Sequence, residues 1–260
     1  PATSETEAGL RKPVIRVATY NVRGCVDANR NVNPDMIAGI MREVNADIVA
    51  LQEVDAQKPF SLNRNQAGIL AEKLSMDYVF FPAETSGLRA FGLAILSRYE
   101  FDDCYCSCLP SLYPKLKPRK RAAIRAGIPT PTGSINLINA HLSLFKLERR
   151  LQLKALMGKE WLAEIPEDEP LIFCGDLNAG PLSGTYRKLS RMFTDVQKDG
   201  KEFRSNPLQP TFHSWSPLFR IDHIFISRHL QTLNAEVLKT SETQTASDHL
   251  PLIADLKVII

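Results

Sequence analysis

The chain has 260 residues, 44% of them hydrophobic, and a formal net charge of +3. It can bury a large core, and it is too weakly basic for charge alone to mark a nucleic-acid binder, although a local patch could still serve. No run approaches the roughly 20 apolar residues of a membrane span, and five irregularly placed cysteines argue against a disulfide-rich secreted scaffold.

Residues 1–13 are polar and aperiodic and read as a tail or linker, with one catalytic domain expected over 14–260. The chain opens on Pro1, and no signal peptide is expected within it. A cytoplasmic monomer is expected, or a domain excised from a longer membrane-associated protein. VIRVATYN (14–21) is a β-rich run with a polar end. Asn33 and Pro34 then supply an N-cap and a first helical residue, followed by Ile37, Ile40, Met41 and Val44 at helical spacing. DIVALQE (47–53) reads as a buried strand with a charged end, and 66–74 as a short helix. DYVFFP (77–82), FGLAILS (91–97) and a run near Cys104 suggest further short strands. On such a strand Cys104, Cys106 and Cys108 would share one face, and they read as small packing residues rather than a metal cluster.

AAIRAGI (122–128) and SINLINAHL (134–142) follow as neighbouring strands turned by Thr132-Gly133. A helix is expected over 146–162, its LERRLQL charges facing outward. PLIFCGDLN (170–178) is a buried strand ending in acid and amide, and RIDHIFIS (220–227), NAEVLKT (234–240) and LPLIADLKV (250–258) are three more strand candidates. Many strands, few helices and two similar halves fit an α/β (α+β) fold of two mixed sheets packed face to face with helices outside.

The polar residues collect at strand ends. Asn21, Glu53, His141, Asp176 and Asn178 close strands, whereas Asp222 opens one and Asp248-His249 precede another. If the last two strands run antiparallel to the others, all these ends meet along one edge, where ligands commonly bind. Singly, each residue reads as well as a solvated loop residue or turn former.

The succession TYN, LQE, AHL, GDLN, RIDHIF and SDH resembles the endonuclease/exonuclease/phosphatase (DNase I-like) superfamily over about residues 14–258, and TFHSWSPLFRIDHIF (211–225) is similar to small bacterial members of unassigned substrate. The resemblance implies a four-layer α/β/β/α sandwich and a divalent-metal-dependent phosphoesterase. It makes Glu53 the principal metal ligand, with Asn21 and Asp248 completing the metal neighbourhood. It gives Asp176 the attacking water, Asn178 the phosphate or that water, and His249 the phosphate, held in its tautomer by Asp222. It has His141 donate to a non-bridging oxygen. Where abasic-site endonucleases carry a tyrosine, this chain has His141. Oxygen ligands suit Mg2+ or Mn2+, and a carboxylate–His pair fixes which nitrogen bears the proton.

The substrate is expected to be a phosphate ester: a nucleic acid, a phospholipid or another small diester. The densest basic run, KLKPRKRAAIR (115–125), reads either as a phosphate or membrane contact or as a solvated loop. Within it Arg119 and Arg121 are the best phosphate contacts. Phe212, Trp215 and Phe219 could stack on a base or lie against lipid, with at least one expected in the core. The contrasting possibility is a non-catalytic phosphate- or nucleic-acid-binding module that keeps the fold. The full set of acids, amides and histidines favours the enzyme.

Overall fold

The computed structural model describes residues 14–57, 65–87, 89–112, 119–199 and 209–259. The strands are β1 (Ile15–Asn21), β2 (Ile48–Gln57), β3 (Asp77–Ser86), β4 (Arg89–Ser97), β5 (Asp103–Cys108), β6 (Ala122–Thr130), β7 (Gly133–His141), β8 (Leu171–Asp176), β9 (Thr194–Asp195), β10 (Asp222–Ile226), β11 (Leu230–Val237) and β12 (Leu252–Val258). The helices are α1 (Pro34–Val44), α2 (Gln66–Leu74), α3 (Lys146–Leu156), α4 (Gly184–Leu189), α5 (Val196–Asp199) and α6 (Ser241–Ala246).

Two six-stranded sheets form, in the orders β11-β12-β1-β2-β4-β3 and β5-β6-β7-β8-β10-β9. Strand alternation explains the layers. Along β1, Ile15 and Val17 face the other sheet, while Ala18 and Tyr20 face the helices. The inter-sheet core is built from small and β-branched residues such as Ile48, Ile124, Leu137 and Ile224. Ile37 and Ile40 of α1, Leu70 of α2 and Ala246 of α6 cover the first sheet. Leu153 and Leu156 of α3, Tyr186 and Leu189 of α4, and Trp161 cover the second. This is the expected four-layer α/β/β/α sandwich.

The two halves repeat one arrangement. β1 and β2 run parallel, as do β7 and β8, whereas β12 is antiparallel to β1 and β10 is antiparallel to β8. The C-terminal ends of four strands therefore share an edge with the starts of β10 and β12.

Local features follow the sequence closely in places. Asn33 accepts from Met36 N at 3.1 Å as an N-cap, with Pro34 at the first helical position. Elsewhere the structure corrects it. The strand from Ile48 continues past Glu53 to Gln57, because a bulge rather than a strand end turns the acid outward. The hairpin turn is Pro131-Thr132; Gly133, at φ 116°, already pairs with Thr130. α3 stops at Leu156, where the chain turns at Gly158, whose N donates to Ala155 O. Its charges do not all face outward, since Glu148 is buried and accepts from Leu112 N at 3.1 Å. The strand expected over 234–240 lies earlier, as Leu230–Val237, and residues 241–246 are instead the helix α6, capped by Thr240. Of the three alternating cysteines only Cys106 packs against the core. Cys104 and Cys108 are exposed, because β5 is an edge strand reaching only partly over the inter-sheet layer.

Candidate active site

A buried polar network ties the two sheets together just beneath the shared edge. Gln52 Nε2 donates to Thr19 Oγ1 at 3.0 Å and to Asn139 Oδ1 at 2.8 Å across the inter-sheet layer. Asn139 Nδ2 donates in turn to the carbonyls of Leu51 and Ala94, each at 2.9 Å. These residues stand one or two positions before Asn21, Glu53 and His141, so the network fixes where those three emerge.

Glu53 sits at the bulge itself, with φ 57°. A bulky residue held in the left-handed region is uncommon and points to a functional constraint. The extra residue re-aims the side chain out of the pleat. In the second sheet His141, Asp176 and Asp222 are direct cross-strand neighbours on β7, β8 and β10. Gly175 allows this rung. Its φ is 131°, and a Cβ there would collide with the Ala140 carbonyl.

The polar residues of the edge converge. His249 Nδ1 lies 2.8 Å from Asp222 Oδ2, and Asp222 is fully buried. Asp222 N donates to Thr211 Oγ1 at 3.3 Å, and Asp222 Oδ1 has no hydrogen-bond partner among the described residues. On the far side of the ring, His249 Nε2 is 3.8 Å from Asp176 Oδ2. Asn21 Nδ2 donates to that same oxygen at 3.0 Å, joining the two sheets at the site. Asp176 Oδ1 accepts from Asn178 N at 2.9 Å, and Asn178, at φ 47°, turns the chain back.

Electrostatics follow the geometry. Burial works against the His249 imidazolium, but the hydrogen-bonded Asp222 carboxylate, Asp176 and Asp248 outweigh it and push its pKa up to about 10. Burial works against the Asp176 carboxylate too. The charges of His141 and His249 and the hydrogen bonds from His141 and Asn178 N still hold its pKa well below the usual carboxylate range. Burial and the nearby Asp176 carboxylate raise the pKa of Asp222 against the opposing pull of His249.

His141 Nε2 is crowded by Arg121 Nη1 at 2.8 Å, Asn178 Nδ2 at 3.3 Å and Asp176 Oδ2 at 3.3 Å. A single ring nitrogen cannot satisfy two donors and an acceptor together. An arriving oxyanion would resolve that competition by taking the donors.

Two carboxylates stand apart from these pairings. Among the described residues Glu53 has only long contacts, 3.4 Å to Arg119 and 4.0 Å to His141, and Asp248 is 3.7 Å from Arg23 and 3.5 Å from Ser247 Oγ. Loosely held, partly exposed carboxylate oxygens fit a hard divalent cation. A buried Asp176, Asp222 and His249 group also brings donor atoms within 4.8 Å of one another. There Asp222 and His249 are already hydrogen-bonded to each other.

Of the expected substrate contacts, Arg119 lies over the Phe91 ring at 4.3 Å, at the mouth of a cleft of about 440 Å3 that opens beside Glu53. Arg121 is mostly buried on His141. Residues 115–118 of the basic run lie outside the described residues. Trp215 and Phe219 are exposed, whereas Phe212 is half-buried with its ring 4.8 Å from that of His249. Its packing is therefore against the site rather than in one of the cores.

Ser247, which sequence alone does not single out, donates to Asn21 O at 2.7 Å and accepts from His249 N at 3.3 Å. It precedes Asp248-His249 in SDH, so its place in that triplet was the available signal. Arg23, Asp55, Arg89 and Phe91 of the cleft were also missed, as they sit two residues or a whole strand away from the motifs.

A model of the endonuclease/exonuclease/phosphatase family matches residues 18–249. The chain belongs to this family, which includes metal-dependent phosphoesterases. It is similar to the uncharacterized protein YbhP of Escherichia coli K12, with 26% identity over 93% of this chain and 95% of that protein. Among solved structures it resembles an endonuclease/exonuclease/phosphatase from Beutenbergia cavernae, with a TM-score of 0.79, 19% identity, and coverage of 95% of this chain and 72% of that one. It also resembles the Bacteroides thetaiotaomicron mannosyl-6-phosphatase Bt3783, with a TM-score of 0.75, 21% identity, and coverage of 94% and 99%. No helix among the described residues is long and apolar enough to cross a membrane.

Proposed function

We propose that the protein is a divalent-metal-dependent phosphoesterase. It hydrolyses a phosphodiester by in-line attack of an activated water, on a nucleic acid or on a phospholipid or other small diester. The observation that carries this reading is the meeting of the Asp222–His249 pair with Asp176 and Asn21 at an edge where Glu53 and Asp248 keep open oxygens. A structural neighbour named as a mannosyl-6-phosphatase supports phosphate esters as the substrate class.

Glu53, with Asp248 and Asn21, would hold Mg2+ or Mn2+, which neutralises phosphate charge and helps orient water. The chain's own residues supply the rest. Asp176, ionised at neutral pH and steadied by Asn21, takes a proton from the attacking water as its oxygen bonds to phosphorus. His249, protonated and oriented by Asp222, faces the phosphate and gives its proton to the leaving oxygen as that P–O bond breaks. His141, Arg121 and Asn178 donate to non-bridging oxygens, and Arg119 guards the cleft.

The test is a hydrolysis panel in Mg2+: single- and double-stranded DNA, RNA, phospholipids, inositol phosphates and p-nitrophenyl diesters. Turnover of at least one class is expected. Tight binding of a phosphate ester with no turnover of any would favour the binding module instead.

A further inference from the structure

Three loops form the rim of this edge on the side of the second sheet. Residues 142–145 join β7 to α3, residues 177–183 join β8 to α4, and residues 211–221 lead into β10. They are bonded side by side: Asn178 Nδ2 to Leu142 O at 2.9 Å and Leu177 N to Ile221 O at 2.9 Å. Their bases are buried; Arg220, for example, is paired with Asp195.

Their tips are exposed and apolar. Leu144 is 69% exposed, Leu182 91%, Trp215 60%, Leu218 76% and Phe219 59%, and Leu147 follows in the first turn of α3 at 57%. Single exposed leucines need no explanation, but a set gathered around one site marks an interaction surface.

Beside these tips lies a cleft of about 500 Å3 between α3 and α4. Lys146, Arg150 and Lys154 line it from α3, Arg187 and Lys188 from α4, and no carboxylate is among its lining residues. The α3 cations recur every four residues, which places them on one helical face. The acid of that helix's first turn, Glu148, is turned inward and buried, so it does not neutralise them.

Apolar tips beside a basic cleft match one partner chemistry. We propose that this edge of the molecule docks on an anionic lipid bilayer, its leucines and Trp215 entering the acyl boundary and the α3–α4 cations meeting lipid phosphates. A polynucleotide would use the cations and could stack on Trp215 or Phe219, but leucine offers no face for base stacking. Leu144, Leu182 and Leu218 are as many as the exposed aromatics of the loops, Phe145, Trp215 and Phe219, and Leu147 adjoins them; these aliphatic side chains favour the bilayer. Docking would hold the mouth of the active site against the headgroup layer. Resting on the phosphoesterase reading, this makes a lipid phosphate ester the substrate class.

The experiment is vesicle flotation with phosphatidylcholine alone and with added phosphatidylglycerol, read together with tryptophan emission. The chain has two tryptophans, and Trp161 is 4% exposed, so a change on vesicle addition reports Trp215. We expect binding to the anionic vesicles, with a blue shift, and little binding to the neutral ones. Charge reversal at Arg150 and Lys188 should weaken binding by at least about fivefold for each cation. Leu144→Ser with Leu182→Ser should weaken it by about tenfold or more. Unchanged thermal unfolding of the variants would show that they are folded. Absence of binding and of any blue shift with anionic vesicles would overturn the proposal, with no variant needed. So would equal binding by wild type and both folded variants, or oligonucleotide binding through these cations with none to vesicles. The assay reads binding without turnover, so docking can fail while the hydrolase reading stands, and the reverse.

Discussion

Nδ1 of His249 and Oδ2 of Asp222 stand 2.8 Å apart, and among the described residues the other side chain bonded to Asp222 is the Thr211 hydroxyl, at its backbone N. The hydrogen bond holds the imidazole through its Nδ1, so the two are expected to act as a unit. His249→Ala and Asp222→Asn should each lower turnover by a large factor, and the double variant should lose little more than the worse single one. Strictly additive losses in the double-mutant cycle would show that the pair does not cooperate.

Asp176 is the base in this account, and Asn21 steadies it at 3.0 Å. Asp176→Asn keeps the shape and removes the proton acceptor. Turnover should fall by about 10²–10⁴-fold, with KM changed only a few-fold. A variant that keeps wild-type kcat would move the role of base elsewhere.

The Gln52–Asn139 hydrogen bond crosses between the sheets at 2.8 Å, wholly buried. Asn139→Ala would remove the side-chain donor from the carbonyls of Leu51 and Ala94, while Gln52 Nε2 keeps Thr19 Oγ1 and Ala50 O. Each buried group so deprived costs roughly 1–3 kcal/mol, so a loss of at least about 2 kcal/mol is expected in urea unfolding. A loss under about half a kcal/mol would mean that water or a neighbour takes over these bonds.

His223 gives a pH signature in stability rather than in turnover. It is fully buried, with Nε2 2.8 Å from Ala179 O, and burial, helped by the Arg220 charge, lowers its pKa to about 4. In the unfolded chain it titrates near ~6.5. Between those values the unfolded state binds the extra proton, so its contribution is complete above pH ~6.5 and is lost as pH falls towards 4. The span corresponds to about 3 kcal/mol. Stability measured across this window should fall less steeply in His223→Gln than in the wild type. Parallel pH profiles would count against it.

Much of the site could be read from strand ends alone. Asn21, His141 and Asp176 close their strands and Asp222 opens its own, because β strands deliver their last residues to a common edge. The sequence did not reveal that Glu53 lies mid-strand at a bulge, since its positive φ is set by pairing with β4 across Leu93 and Gly92 rather than by local residue type. Nor did it show Glu148 turned inward, because an acid on an amphipathic helix is normally solvated and its partner, Leu112 N, is distant in sequence. The cleft beside Glu53 and the one between α3 and α4 each gather residues from different elements, which only the packing brings together.

The most direct test of the central claim is the hydrolysis of bis(p-nitrophenyl) phosphate, or of whichever ester the panel identifies, by wild type and Glu53→Gln with Mg2+ and with EDTA. The account predicts turnover in Mg2+ that vanishes in EDTA, returns with Mg2+ or Mn2+, and falls by orders of magnitude in a folded Glu53→Gln. Full turnover in EDTA, or a Glu53→Gln variant with wild-type rate and metal dependence, would contradict it.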